Sequence, residues 1–212
     1  MSLAESGVST TGLRMILASA SPRRRELLAQ AGFTFTIDAA DVDESTRAGE
    51  AADAYVERLA VAKAQTVFAR HSTVLHPTHR GEQGALIVLG ADTSVVLGDE
   101  ILGKPTDADD ARRMLQRLFG RTHSVLTGMA VVTRAGVVSA VESTEVVFAN
   151  ISDAELDAYC ATAEPLDKAG AYGIQGYAAR RIRRIDGCYF NVMGLPIARV
   201  VRLIDEALTG CR

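Results

Sequence analysis

The stretch Met15-Ile16-Leu17-Ala18-Ser19-Ala20-Ser21-Pro22-Arg23-Arg24-Arg25-Glu26-Leu27-Leu28 constrains this chain more than any other. Its apolar opening is long enough to end a strand. Ser21 is a good N-cap, because its hydroxyl can accept from an orphaned backbone N–H, and Pro22 suits the first helical position, where the missing N–H has no partner to lose. Leu27, Leu28 and Ala31 then form a buried stripe, and Gly32 can close the helix. The segment reads as strand, tight serine-rich turn, helix. Such a turn aims free N–H groups and the positive end of a helix dipole at one spot. The hydroxyls of Ser19 and Ser21 and the guanidinium groups of Arg23 and Arg24 crowd that spot, which suits a phosphate or polyphosphate. A well-capped surface helix with a solvated arginine cluster is the plainer alternative.

At 212 residues the chain makes one large domain or two closely joined lobes with a real core. It is 48% apolar and 23% charged, an ordinary soluble composition, and its formal charge of −3 offers no basic field to draw nucleic acid or a membrane surface. No apolar run approaches the roughly 18 residues of a membrane helix. Residues 1–12 lack the basic and apolar regions of a signal peptide and are expected to form a disordered leader before a single domain over 13–212. Cys160, Cys188 and Cys211 are odd in number and far apart, which fits reduced thiols in the cytoplasm.

Phe33, Phe35 and Ile37 alternate, so a strand is expected over 32–40. It runs into Asp41-Val42-Asp43-Glu44, an acidic turn that is either simply solvated or meets a divalent metal. Residues 51–70 form a helix with Tyr55, Leu59, Ala62, Thr66 and Val67 near one face; Lys63 lies beside that stripe and either snorkels or reaches into a cleft. Residues 71–84 read as a polar surface loop. His71, His76 and His79 lack an acidic or cysteine partner that would complete a metal site, and Pro77 breaks any helical face.

Residues 85–97 are the most apolar run and read as a central strand, interrupted by Asp92. A carboxylate in a buried strand is expensive unless it meets a cation or good donors; capping a local turn is the alternative. Gly98-Asp99 makes a hairpin turn, and Lys104, before Pro105, sits in extended backbone that can project its charge. Thr106 is expected to cap a helix reaching Phe119. Two antiparallel strands follow over 124–133 and 137–149, then a capping box, Ser152-Asp153-Ala154-Glu155, opening a helix to Ala161. Residues 164–176, EPLDKAGAYGIQG, hold three glycines whose spacing is not the dinucleotide fingerprint; they let backbone approach a ligand or form an ordinary loop. The four arginines of 178–185 give a strand with a basic face or a patch that meets polyphosphate. The last helix spans 196–208.

No Walker A motif and no G-x-S-x-G elbow occurs, and no Cys–His pair stands at readable spacing. What remains is a phosphate-gripping turn, lysines from two later segments and carboxylates from two segments. Those are the parts of a metal-dependent phosphoanhydride hydrolase.

Eight pieces in order, LASASPRRRELL, DVDE, LAVAKA, LGADTSVV, LGKP, TGMAVV, EPLDKAGAYGIQG and NVMGLP, give the chain a resemblance to the Maf family of nucleoside triphosphate pyrophosphatases from Met15 to the final helix. The resemblance implies a two-lobed α/β fold like that of the inosine-triphosphate pyrophosphatases, with a long mixed sheet and a cleft between lobes. It implies cleavage between the α and β phosphates with Mg²⁺ or Mn²⁺, in a possible homodimer. Carried over by position, Asp92 is the base that activates water and Glu44 helps it hold the metal. Ser19, Ser21, Arg23, Arg24, Lys63, Lys104 and Lys168 meet the substrate, with Asp167 facing the cleft. Arg23, Thr93 and Gln175 match the branch that takes dTTP and UTP; a Gln amide, donor and acceptor together, complements the imide edge of uracil or thymine. The alternatives are the branch acting on 7-methylguanosine triphosphate, and a nucleotide-binding regulator of cell division, as the family's older name (septum formation) implies.

Overall fold

The computed structural model describes residues 13–72, 85–162 and 164–210. The expected leader, His76, His79 and Cys211 lie outside the described residues. The strands are β1 (Arg14–Leu17), β2 (Thr36–Ile37), β3 (Leu86–Leu97), β4 (Glu100–Leu102), β5 (Thr122–Thr133), β6 (Gly136–Phe148) and β7 (Ile182–Asp186). The helices are α1 (Pro22–Gln30), α2 (Ala52–Ser72), α3 (Ala108–Leu118), α4 (Asp153–Cys160), α5 (Tyr189–Val192) and α6 (Ile197–Thr209). Among the described residues the strands form one mixed sheet in the order β2-β1-β3-β5-β6-β7, with β4 added to the end of β3. β1 runs parallel to β2 and β3; every other pairing is antiparallel.

β3 is the central strand the apolar run predicts, and its alternation builds both layers. Leu86 and Val88 face α2, packing with Ala60, Ala64 and Val67. On the opposite face Ile87, Leu89 and Ala91 join α1 and α6 through Leu27, Leu28, Val200 and Leu203. Farther along, Val95 joins α3 and α4 through Leu115, Leu118, Leu156 and Tyr159. Thr93 falls between these two apolar clusters, and the cleft opens there. The mixed α/β architecture is thus as the sequence predicts.

Helix α2 lies on bare sheet. A Cβ at Gly90 would stand 2.9 Å from the Ala64 Cβ, and one at Gly128 would stand 2.6 Å from the Glu57 backbone nitrogen. Glycine in these strands marks close backbone approach.

Several local expectations are corrected. The alternating segment 32–40 pairs only at Thr36 and Ile37, both exposed, while Phe33 and Phe35 pack as partly buried side chains against the α1–α6 cluster. Asp107, not Thr106, caps α3: its carboxylate accepts from Asp110 N–H at 2.7 Å, and the Thr106 N–H donates instead to the Asp110 carboxylate at 3.0 Å. A carboxylate is the stronger acceptor at a positive helix end. Only half of the capping box forms. Ser152 Oγ accepts from Glu155 N–H, but the Glu155 carboxylate turns to Arg181. α2 runs on through Ser72, taking His71 out of the expected loop and setting its Nε2 2.8 Å from Asp38 Oδ2. Within 178–185 the chain makes a 3₁₀ turn (Tyr177–Arg181) before the edge strand β7, and Arg181 and Arg184 pair with Glu155 and Asp186. Cys160 and Cys188 are free thiols, and among the described residues no helix is long and apolar enough to cross a membrane.

Candidate active site

The ladder between β1 and β3 continues one residue past the strand, with Ala18 N–H donating to the Leu89 carbonyl at 2.8 Å, and this delivers Ser19 into the cleft. Ser19 Oγ accepts from Ser21 N–H (3.3 Å) and from Arg24 Nη1 (3.1 Å); Ser21 Oγ caps α1 by accepting from Arg24 N–H (3.4 Å). Both hydroxyls shape the turn as well as lining the cleft. Arg24 reaches farther. Its Nε donates to the Gly194 carbonyl at 2.8 Å, Nη1 to the Ala91 carbonyl at 2.8 Å and Nη2 to Thr93 Oγ1 at 2.9 Å. The guanidinium therefore ties α1, β3 and the turn before α6 together. Burial pulls its pKa down, with Asp92 opposing, yet a guanidinium stays charged.

Opposite this turn, α2 supplies Lys63. Its Nζ lies 2.6 Å from Asp92 Oδ1 and 2.6 Å from Glu44 Oε1, so one ammonium bridges the two carboxylates. Asp92 is only 8% exposed, whereas more than half of the Glu44 side chain meets solvent. Burial pushes the Glu44 carboxyl up, but the hydrogen bond from Lys63 and the charges of Lys63, Lys104 and Arg24 outweigh it and hold it below the ordinary carboxylate value. The acidic segment is pinned from α2. Tyr55 O–H donates to the Glu44 carbonyl at 2.8 Å; one turn on, Arg58 forks the Glu50 carboxylate (2.6 and 2.8 Å) and donates to the Ser45 carbonyl.

The third wall is the glycine-rich segment. Lys168 Nζ donates to the Glu164 carbonyl at 2.7 Å and pairs with Asp167, whose carboxyl is pushed up by burial but held low overall by Lys168 and Arg23. Gly170 (φ +65°) packs where a Cβ would strike Val95. Gln175 is exposed and lines the cleft, as do Arg23 and Lys104. The cleft holds about 880 Å³ and gathers every site residue that the family resemblance carries over, Ser19, Ser21, Arg23, Arg24, Glu44, Lys63, Asp92, Thr93, Lys104, Asp167, Lys168 and Gln175, while Asp41, Asp43 and the arginines of 178–185 do not line it. That volume suits a nucleotide.

Hard carboxylate oxygens are the donor type for Mg²⁺ or Mn²⁺. Glu44 and Asp92 each use one oxygen on Lys63, and no donor among the described residues meets the other. No cluster of three or more Asp, Glu, His or Cys side chains gathers among the described residues. The pair therefore fits a magnesium-type ion that draws its remaining ligands from water and substrate phosphate.

Three supporting residues had no readable sequence signal. Thr127 O–H donates to the Asn191 carbonyl, and its oxygen lies 2.9 Å from Thr93 Oγ1. The buried Asn191 amide donates to the Val125 carbonyl and to Thr144. Glu164, inside the glycine-rich segment, is bonded on both carboxylate oxygens. Each contact joins positions remote in sequence or depends on how a loop turns.

The model of the Maf family (Maf-like protein) matches residues 14–207. A protein from Hahella chejuensis named dTTP/UTP pyrophosphatase is 48% identical over 193 residues, covering 91% of this chain and 92% of that one. One of the same name from Myxococcus xanthus is 50% identical over the same shares. A solved nucleoside-triphosphatase/dITP/XTP pyrophosphatase from Mycobacterium abscessus superposes over 93% of this chain and 98% of that one, at TM-score 0.40 and 15% identity, a likeness too loose to bear on function. Matched along most of its length by the family model and by relatives of near half identity, the chain belongs to the Maf family.

Proposed function

We propose that this chain is a nucleoside triphosphate pyrophosphatase that hydrolyses dTTP and UTP between the α and β phosphates, releasing monophosphate and pyrophosphate. The observation that carries this is the Lys63–Asp92–Glu44 cluster facing a serine-rich helix N-terminus across one nucleotide-sized cleft. The names of the relatives, both dTTP/UTP pyrophosphatases, support the substrate.

Arg23, Lys104 and Lys168, with the Ser19 and Ser21 hydroxyls, bind the phosphate chain, and the cations neutralise charge that develops as the anhydride breaks. Arg24 holds that turn in place. Asp92 takes a proton from a water as its oxygen bonds to phosphorus. The bridging oxygen then leaves with pyrophosphate, its charge met by the same cations. Lys63, 2.6 Å from Asp92 Oδ1, holds that carboxylate in place. Glu44 and Asp92 would hold Mg²⁺ or Mn²⁺, which when bound supplies further charge neutralisation on the phosphates. The Gln175 amide pairs with the imide edge of the base, and Thr93 and Arg23 line the same cleft. Family membership also carries a cytoplasmic location and a homodimer as expectations, the second readable by light scattering.

The test is pyrophosphate release from a panel of triphosphates with Mg²⁺ or Mn²⁺, comparing wild type with Asp92→Asn. Turnover of dTTP and UTP that vanishes in the variant supports the whole scheme. Preference for 7-methylguanosine triphosphate sinks the base assignment alone. Binding of triphosphate without turnover favours a regulator that reads the bound nucleotide.

A further inference from the structure

Gln175 sits where the chain crosses from one apolar cluster to the other. Its neighbour Ile174 is buried in the cluster of α1 and α6, while Tyr177, two residues on, packs in the cluster of α3 and α4. Tyr177 stacks on the fully buried Tyr159, ring centroids 5.0 Å apart and planes 14° off parallel. Among the described residues, Glu164 is the side chain that hydrogen-bonds this crossing. Glu164 Oε1 accepts from Tyr159 O–H at 3.1 Å, and Oε2 accepts from Tyr177 N–H at 3.1 Å. Gly176 makes room for that carboxylate, since a Cβ there would stand 2.8 Å from Oε2 and closer still to Oε1. Gly173, before Gln175, lies against the aliphatic stem of Lys168, whose ammonium is held by the Glu164 carbonyl. Both the backbone and the side chain of Glu164 thus bear on the segment that presents Gln175.

We propose that Glu164 is a positioning residue for base selection: by clamping Tyr159 to Tyr177 it fixes where the Gln175 amide meets the base. This rests on the dTTP/UTP reading above. Loss of the clamp leaves the Gln175 turn held by buried Ile174, the Gly176 N–H to Gly173 carbonyl bond and the Tyr177–Tyr159 stack, with no side chain among the described residues hydrogen-bonding the crossing. The amide then samples several positions, and the hydrogen-bonded discrimination that a fixed amide provides is lost.

The test uses the full chain. kcat and KM are measured for UTP, dTTP, CTP and GTP, and amide hydrogen exchange is followed across 164–177, in wild type, Glu164→Ala and Glu164→Gln. In Glu164→Ala the UTP-over-CTP ratio of kcat/KM falls by about tenfold or more, through KM for UTP, and Tyr177 exchanges faster. Glu164→Gln keeps one acceptor for Tyr177 and a polar partner for Tyr159, so it stays within about threefold of wild type. Tyr159→Phe removes one side of the clamp; it lowers the same ratio by a smaller factor and serves if Glu164→Ala does not fold. A ratio unchanged in Glu164→Ala, or in Tyr159→Phe where that stands in, overturns the proposal. Glu164→Gln as inactive as Glu164→Ala also overturns it, because the carboxylate then acts in the reaction itself. A wild type indifferent to the base sinks the dTTP/UTP reading and this proposal with it, whereas a selective wild type with a selective Glu164→Ala sinks the proposal alone.

Discussion

Lys63 Nζ stands 2.6 Å from Asp92 Oδ1 because α2 and the sheet meet backbone to backbone. Gly90 leaves space for Ala64, the residue after Lys63, and Gly128 is the cross-strand partner of Asp92 and leaves space for α2 at Val56 and Glu57. Asp92 shares the α2 face of β3 with Gly90, two residues away. Two missing side chains therefore set the reach of a lysine to a carboxylate. Gly128→Ala or Gly90→Ala should push α2 outward and lower stability by about 1–3 kcal/mol, the range for overpacking. That corresponds to roughly 2–4 °C in Tm per kcal/mol. Turnover should fall by more than the melting loss explains, because the ion pair opens. A lowered Tm with turnover intact would show that helix spacing does not govern the pair.

Removing either member of the pair should not be symmetric. Asp92→Asn leaves Lys63 with Glu44 as a partner, so its stability should change little. Lys63→Met leaves the nearly buried Asp92 carboxylate without the ammonium that met it. Breaking a buried pair in this way costs about 3–5 kcal/mol; partial exposure here puts the expected loss at the lower end. Mg²⁺ should recover more Tm in Lys63→Met than in wild type, since the ion then meets two carboxylates without a competing ammonium. Equal Mg²⁺ shifts in the two proteins would count against Glu44 and Asp92 as metal ligands. Thermal melting with and without EDTA reads both parts.

The strand–turn–helix of residues 15–30 was legible because caps are local: Ser21, Pro22 and the leucine pair act within a few residues of one another. Asp92 was legible because a carboxylate in an apolar strand demands a partner. Its partner Lys63, 29 residues away, is set by tertiary packing; the family resemblance placed Lys63 on the substrate and did not pair it with Asp92. The alternation of Phe33, Phe35 and Ile37 does not distinguish a paired strand from a chain laid along an edge, and only two residues pair. Thr106 and Asp107 are adjacent cap formers, and the choice depends on where Asp110 turns. Arg24 and Glu164 could not be assigned their contacts from sequence, because each ties together segments that only the folded chain brings near.

Arg23 and Arg24 are adjacent and alike in sequence, yet they should behave differently. Arg24 donates to four acceptors on three segments, a fork that an ammonium cannot span. Arg24→Lys should lower Tm by several degrees and turnover together. Arg23 lines the cleft, and Arg23→Ala should leave Tm within about a degree while raising KM for the triphosphate about tenfold or more. A melting loss in Arg23→Ala as large as in Arg24→Lys would show that both are structural.

His123 should make the fold acid-sensitive. It is 2% exposed, with Phe148 and Tyr172 ringing it at 4.9 and 5.4 Å; Nε2 lies 2.8 Å from the Tyr172 oxygen, and Nδ1 has no partner among the described residues. Burial pulls its pKa down to about 4. Above pH 6.5, its ordinary value, the imidazole is neutral whether the chain is folded or not, and it adds no pH dependence. As the pH falls from 6.5 toward 4, the unfolded chain takes up a proton that the folded chain refuses, so stability drops. Below about 4 both states are protonated and the loss levels off at about 3 kcal/mol. His123→Gln keeps a polar partner for Tyr172 and removes the titration. Urea unfolding at pH 7.5, 6 and 5 should therefore show wild type losing about 2 kcal/mol more than His123→Gln by pH 5. Parallel curves for the two proteins would mean that the folded state admits the proton after all.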